Sequence, residues 1–194
     1  KEGKGWVAAL PGDVKVFVAV ERAEYATEFE REFGRTATPV VVDRPITTWS
    51  RDRFVARSDG SVVVPPEAHG GGQRRQNDAY VPILFAGREG RGLGAASFRF
   101  DGGDFLATDG RVIASSVWAR RNRDRSVPEL VAAAERLFGQ PVVYLPEAPE
   151  HHVGMVIAPI GHGRLLVGDA RGGARLCPDD PEADRSEMTA GLFD

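Results

Sequence analysis

Three short polar stretches hold the residues of this sequence that could do chemistry. Thr47-Thr48-Trp49-Ser50-Arg51-Asp52-Arg53-Phe54 sets an aromatic, two cations and a carboxylate between two apolar runs. Phe100-Asp101-Gly102-Gly103-Asp104-Phe105 sets a carboxylate on each side of paired glycines, which let a backbone approach a partner closely. Glu150-His151-His152-Val153-Gly154-Met155 places adjacent histidines at the head of an expected strand. On a strand the two rings face opposite sides and cannot chelate one metal. Carboxylates, a tryptophan and a histidine together describe a pocket for a planar cation. Aspartate takes a guanidinium through paired charge-assisted hydrogen bonds, and histidine moves protons near neutral pH. Each stretch also has a plainer reading: a tryptophan anchor with a surface Arg–Asp pair, a tight turn with solvated acids, and a structural histidine. A phosphate cradle is not expected, because two carboxylates flank the glycines and no Lys or Ser/Thr follows at the needed spacing. His69 and His162 lie in glycine-rich loops and are expected to do no chemistry. No Ser-His-Asp spacing, metal motif or dinucleotide fingerprint competes, so no cofactor is expected.

The scaffold that must position these groups is a chain of 194 residues, about one domain in length, with 42% apolar residues. It is read as one domain over residues 1–194. The net charge of −3 lacks the basic footprint of a nucleic-acid binder, and Arg120-Arg121-Asn122-Arg123 is broken at once by Asp124. The apolar runs are far shorter than the ~20 residues of a membrane span. Neither nucleic acid nor membrane is therefore expected as a partner. A lone cysteine, Cys177, excludes an internal disulfide and a thiolate zinc site. With Asp179 and Asp180 following it, Cys177 is expected to be an ordinary, slowly alkylated thiol. The acidic stretch Asp179 to Asp184 fits no EF-hand spacing and reads as a solvated loop. The chain opens on Lys1, so the compartment stays open, with the cytoplasm favoured, and a homo-oligomer is left open.

The apolar pattern predicts strands at Val14–Val20 and Val40–Val42 around a helix from Ala23 to Phe33 stopped by Gly34, a βαβ opening with a parallel pair. Ser58-Asp59-Gly60, Asp109-Gly110 and Gly161-His162-Gly163 each predict a hairpin turn between short apolar runs. Glu67 to Asp78 shows no period and reads as a loop or lid. Val127 to Phe138 is a predicted helix, with Pro128 in its first turn and Gly139 at its end, and Val142–Leu145 is the strand after it. Asp184 onward looks like the start of another helix. Hairpin, helix and strand recur roughly every fifty to sixty residues, the order of elements that radial or solenoid folds give.

The run Trp49-Ser50-Arg51-Asp52, then Asp101-Gly102-Gly103-Asp104, then His152-Val153-Gly154 resembles the guanidino-group-modifying enzymes of the pentein superfamily. The stretch Phe100 to Asn122 is most similar to dimethylarginine dimethylaminohydrolases. The Trp-x-Arg-Asp element is closer to agmatine and peptidylarginine deiminases. The resemblance implies an α/β fold: a pentein β/α-propeller of five ββαβ modules, of which this chain would hold about three. It implies that a cysteine attacks the guanidinium carbon of arginine or an arginine derivative, free or protein-borne. Asp52 would grip the guanidinium beside Trp49, and Asp101 would support the geometry of His152, the general acid and base. Arg120 would bind a substrate carboxylate. Gly154 stands where many deiminases carry a second aspartate clamp. Cys177 lies at the wrong point of the cycle to be the nucleophile, so this chain alone is expected to be inactive. The alternative is a degenerate pentein that binds guanidinium ligands or serves as a scaffold.

Overall fold

A computed structural model describes residues 7, 9–66, 72–147, 152–169, 172 and 175. The chain divides into two compact units, Lys1–Ala95 and Ala96–Asp194. It is a mixed α/β protein whose described strands form four separate sheets, two with three strands and two with two.

The first unit opens with β1 (Phe17–Val20), α1 (Glu24–Phe33) and β2 (Thr38–Val41), and β1 pairs parallel with β2. Gly34 ends α1 at a φ of 62°, where only glycine is unstrained, and its N–H reaches the Glu30 carbonyl. The strand expected from Val14 starts three residues late, and the Arg35 guanidinium ties that lead-in down through the carbonyls of Leu10, Pro11 and Val14. A hairpin of β3 (Val55–Ala56) and β4 (Val62–Val64) follows, turned by Gly60 at a φ of 79°. The chain then passes through α2 (Gln73–Asn77) and α3 (Tyr80–Arg88) to β5 (Leu93–Ala95), which pairs parallel with β4.

Residues 73–77 therefore correct the expectation of a loop over Glu67 to Asp78. The helix is too short to show a period, and distant groups hold it, such as the Pro45 carbonyl that accepts from the Asn77 amide. His69 lies outside the described residues. Val42, Ile46 and Val81 form a buried cluster under α3.

The second unit repeats that order of elements. β6 (Phe105–Thr108) and β7 (Arg111–Ser115) make an antiparallel hairpin, and β8 (Val142–Leu145) joins β7 in parallel after α4 (Ser116–Arg121) and α5 (Val127–Phe138). Helix α5 carries every boundary signal read from its sequence. Ser126 and Glu129 form a reciprocal capping box, proline occupies the first turn, and Gly139 caps the end at a φ of 66°. Phe98, Phe100, Phe105, Trp118 and Phe138 meet edge to face or tilted at centroid separations of 5.1–6.1 Å around a fully buried Trp118. A third hairpin, β9 (Ile157–Pro159) with β10 (Leu165–Val167), turns through Gly161, His162 and Gly163, all at positive φ. Every large exposed apolar side chain described in this unit, from Met155 to Val167, belongs to that hairpin or the turn before it.

The histidine pair is placed differently from expectation. His152 caps a 3-10 turn, Val153–Met155, instead of heading a strand, because its carbonyl accepts the Met155 N–H at 3.0 Å. His151 lies outside the described residues, as do Cys177, the acidic stretch and the helix expected from Asp184.

Candidate active site

The first polar cluster gathers on the 3-10 turn Ser50–Arg53 and on α2. Asp52 has a side chain only 15% exposed, and Arg75 Nη2 donates to its Oδ2 at 3.1 Å. Arg75 Nη1 donates to Oδ2 of Asp78 at 3.0 Å and also to the Trp49 carbonyl. Asp78 is fully buried and accepts the Thr47 N–H at 2.7 Å as well as the Thr47 hydroxyl. The chain's own guanidinium thus sits against the carboxylate that the resemblance assigns to a substrate guanidinium. Trp49 is 63% exposed, so it does not pack as the anchor of the plainer reading.

The second cluster forms where Asp101 caps the 3-10 turn Gly102–Asp104. Its acids are not solvated. Asp104 is fully buried, and its Oδ2 accepts the Asp101 N–H at 2.8 Å and Arg121 Nε at 3.1 Å. Arg121 Nη2 meets Asp101 Oδ2 at 2.6 Å. Gly103 faces the His152 ring so closely that a Cβ there would overlap it. Asp101 and His152, predicted as partners, are therefore gathered around one turn of the second unit. Asp52 and Trp49 belong to the first. Gly154 is exposed, and a Cβ there would make only ordinary contact with Leu106. Arg120 is exposed and donates to the Ser116 hydroxyl at 3.2 Å, while its neighbour Arg121 reaches the acids.

Arg121 escapes the sequence reading, yet a signal for it exists. It lies three residues after Trp118, so a helix puts it on the face the tryptophan buries. The partnership of Arg75 with Asp52 carries no local signal at all. Among the described residues no group of three His, Cys, Asp or Glu side chains could hold a metal ion. A groove of roughly 500 Å³ in the second unit, beside Thr108, Arg111 and Arg164, is lined by none of these acids.

Burial pushes the Asp104 carboxyl above the usual carboxylate range, and Asp101 adds to the rise. Arg121, the Asp101 N–H and His152 oppose it. An acid raised in this way binds its proton more tightly folded than unfolded. Folding stability should then fall as pH rises from the ordinary carboxylate value through the raised one, and level off above it. Asp104→Asn should remove that slope from urea unfolding measured across a pH series. An unchanged slope would place its origin elsewhere.

No family model matches the sequence, and neither does any curated protein. Solved structures do. A substrate-bound C315S agmatine deiminase from C. jejuni superposes with a TM-score of 0.68 at 16% identity, covering 99% of this chain and 62% of that one. The chain has the pentein fold. Agmatine deiminase of Enterococcus faecalis gives a TM-score of 0.52 at 20% identity over 78% of this chain and 47% of that one. The chain thus spans between about half and two thirds of the length of the deiminases it resembles.

Proposed function

We propose that this chain is part of a guanidino-group hydrolase of the deiminase and dihydrolase type, acting on arginine or an arginine derivative. The observation that carries the reading is the His152 ring resting on Gly103, in the turn that Asp101 and Asp104 bracket, within a fold shared with agmatine deiminases. In this reading the whole protein is a propeller of five ββαβ modules, and these residues supply about three as one partial catalytic domain.

The chemistry follows from the groups. Asp52, beside Trp49, takes the guanidinium nitrogens, and Arg120 takes a substrate carboxylate where there is one. A cysteine thiolate from outside these modules adds to the guanidinium carbon. His152 protonates the departing amine, and the neutral imidazole then takes a proton from water. The resulting hydroxide adds to the same carbon and expels the thiolate, leaving a ureido product. Asp101 keeps the imidazole and the substrate in register.

Gly154 favours the second reading, a pentein that binds guanidinium ligands without turning them over, because one expected carboxylate clamp is absent. Calorimetry with agmatine, arginine and methylated arginines tests the site, and a urea-product assay tests turnover. Binding should weaken at least about tenfold in Asp52→Asn, the loss expected when a charged hydrogen-bond partner is removed. The chain alone should release no ureido product. Absence of binding by every guanidino compound would end the reading, and turnover that survives Cys177→Ser would refute the mechanism.

A further inference from the structure

The acids around Gly102-Gly103 are braced by a cation to which the proposed reaction gives no role. Arg121 ends α4, and its guanidinium reaches Asp101 at 2.6 Å and Asp104 at 3.1 Å. One planar fork thereby fixes two carboxylates, a geometry that the point charge of lysine cannot reproduce. Oδ1 of Asp104 is buried and accepts no hydrogen bond, and Asp104 lies near enough to His152 for the two to interact electrostatically. The His152 ring rests on the turn that Arg121 braces. Of the elements packed against the His152 turn, β6 and β9 bring no titratable side chain, and β7 brings Arg111, exposed at its hairpin end. The glycine turn brings Asp101 and Asp104, with Arg121 bound to both.

We propose that Arg121 is a positioning residue for His152, setting the ring's orientation and the nitrogen that carries its proton through the Asp101–Asp104 pair. The tautomer and orientation of an imidazole follow the charges and acceptors around its nitrogens, and the carboxylate of Asp104 is one such charge acting on His152. Without the fork, Asp101 is released from the turn and Asp104 loses its counter-charge, so neither stays fixed relative to the ring. The use made of His152 rests on the guanidino-hydrolase reading; the geometry does not.

The test is the imidazole ¹⁵N–¹H spectrum of the 194-residue chain at fixed pH, with thermal melting alongside. His162, on an exposed hairpin turn, is the internal control. Arg121→Gln should move the His152 ring nitrogens and leave those of His162 in place. Arg121→Lys should melt within about 3 °C of the wild type, since the charge is kept, and still give the His152 spectrum of Arg121→Gln. Asp104→Asn, nearly the same shape, should also move the His152 signals. A folded Arg121→Lys or Asp104→Asn chain with a wild-type His152 spectrum overturns the proposal, even if Arg121→Gln fails to fold. If the ring responds while agmatine and arginine do not bind, the positioning role stands and the guanidino reading falls. If they bind and the ring does not respond, the positioning role alone falls.

Discussion

Replacing Gly103 by alanine should displace His152 from its turn. The added methyl would overlap the imidazole at Cγ, Nδ1 and Cδ2, the root and both shoulders of the ring, so no small rotation of a flexible tip relieves it. Overpacking of this kind costs about 1–3 kcal/mol, and here the ring must leave or the turn must open. On the guanidino-hydrolase reading, loss of the His152 ring position weakens guanidino binding by more than the stability loss explains. The informative comparison is His152→Ala, which removes the obstacle. In the double variant the alanine at 103 should cost little more, and a cost that stays the same would show that the overlap is not its source.

The largest loss of stability is expected from Asp78→Ala in the first unit. This carboxylate is fully buried and accepts from the Thr47 backbone, the Thr47 hydroxyl and Arg75. Its removal takes one partner from the Arg75 guanidinium, which keeps Asp52 and the Trp49 carbonyl. It also leaves two part-buried Thr47 donors without their acceptor, at about 1–3 kcal/mol for each buried group left unsatisfied. A urea midpoint close to that of the wild type would show that water or another acceptor replaces it. Because Arg75 also holds Asp52, the guanidino-hydrolase reading expects the same variant to change ligand binding at Asp52 without touching that residue.

Elements with local punctuation were legible in the sequence. Helix α5 has its cap, proline and glycine within its own span, and Asp-Gly marks two hairpin turns. Helix α3 has neither a cap nor a useful period, since Tyr80–Arg88 is apolar on most sides and contains Pro82. Helix α2 is polar throughout and owes its place to bonds that reach more than twenty residues back, such as Asn77 to Pro45 and Arg75 to Asp52. The candidate site divides in the same way. The pairing of Asp101 with His152 comes from the family resemblance alone, and the glycine turn between them is where the two are found together. The cations that hold the acids were not read, since choosing Arg121 over Arg120 takes the buried helix face that Trp118 marks three residues earlier.

Strands β4 and β7 are each the middle strand of a three-stranded sheet, antiparallel to one neighbour and parallel to the other. Val62, Val63, Val112, Ile113 and Ala114 on these strands are almost wholly buried. This arrangement imposes an order of assembly. A hairpin closed by a short turn forms in about 1–10 μs, whereas the parallel neighbour must first be brought back across its helices. The middle strand therefore acts as a template twice, first for the strand before it and later for the strand after. A one-residue slip at the Asp109-Gly110 turn would invert the faces of β7, misdirect β8, and shift Ser115, the residue from which α4 carries Arg121 to the acids. Fidelity at one two-residue turn thus governs both the second unit's sheet and the electrostatic setting of His152.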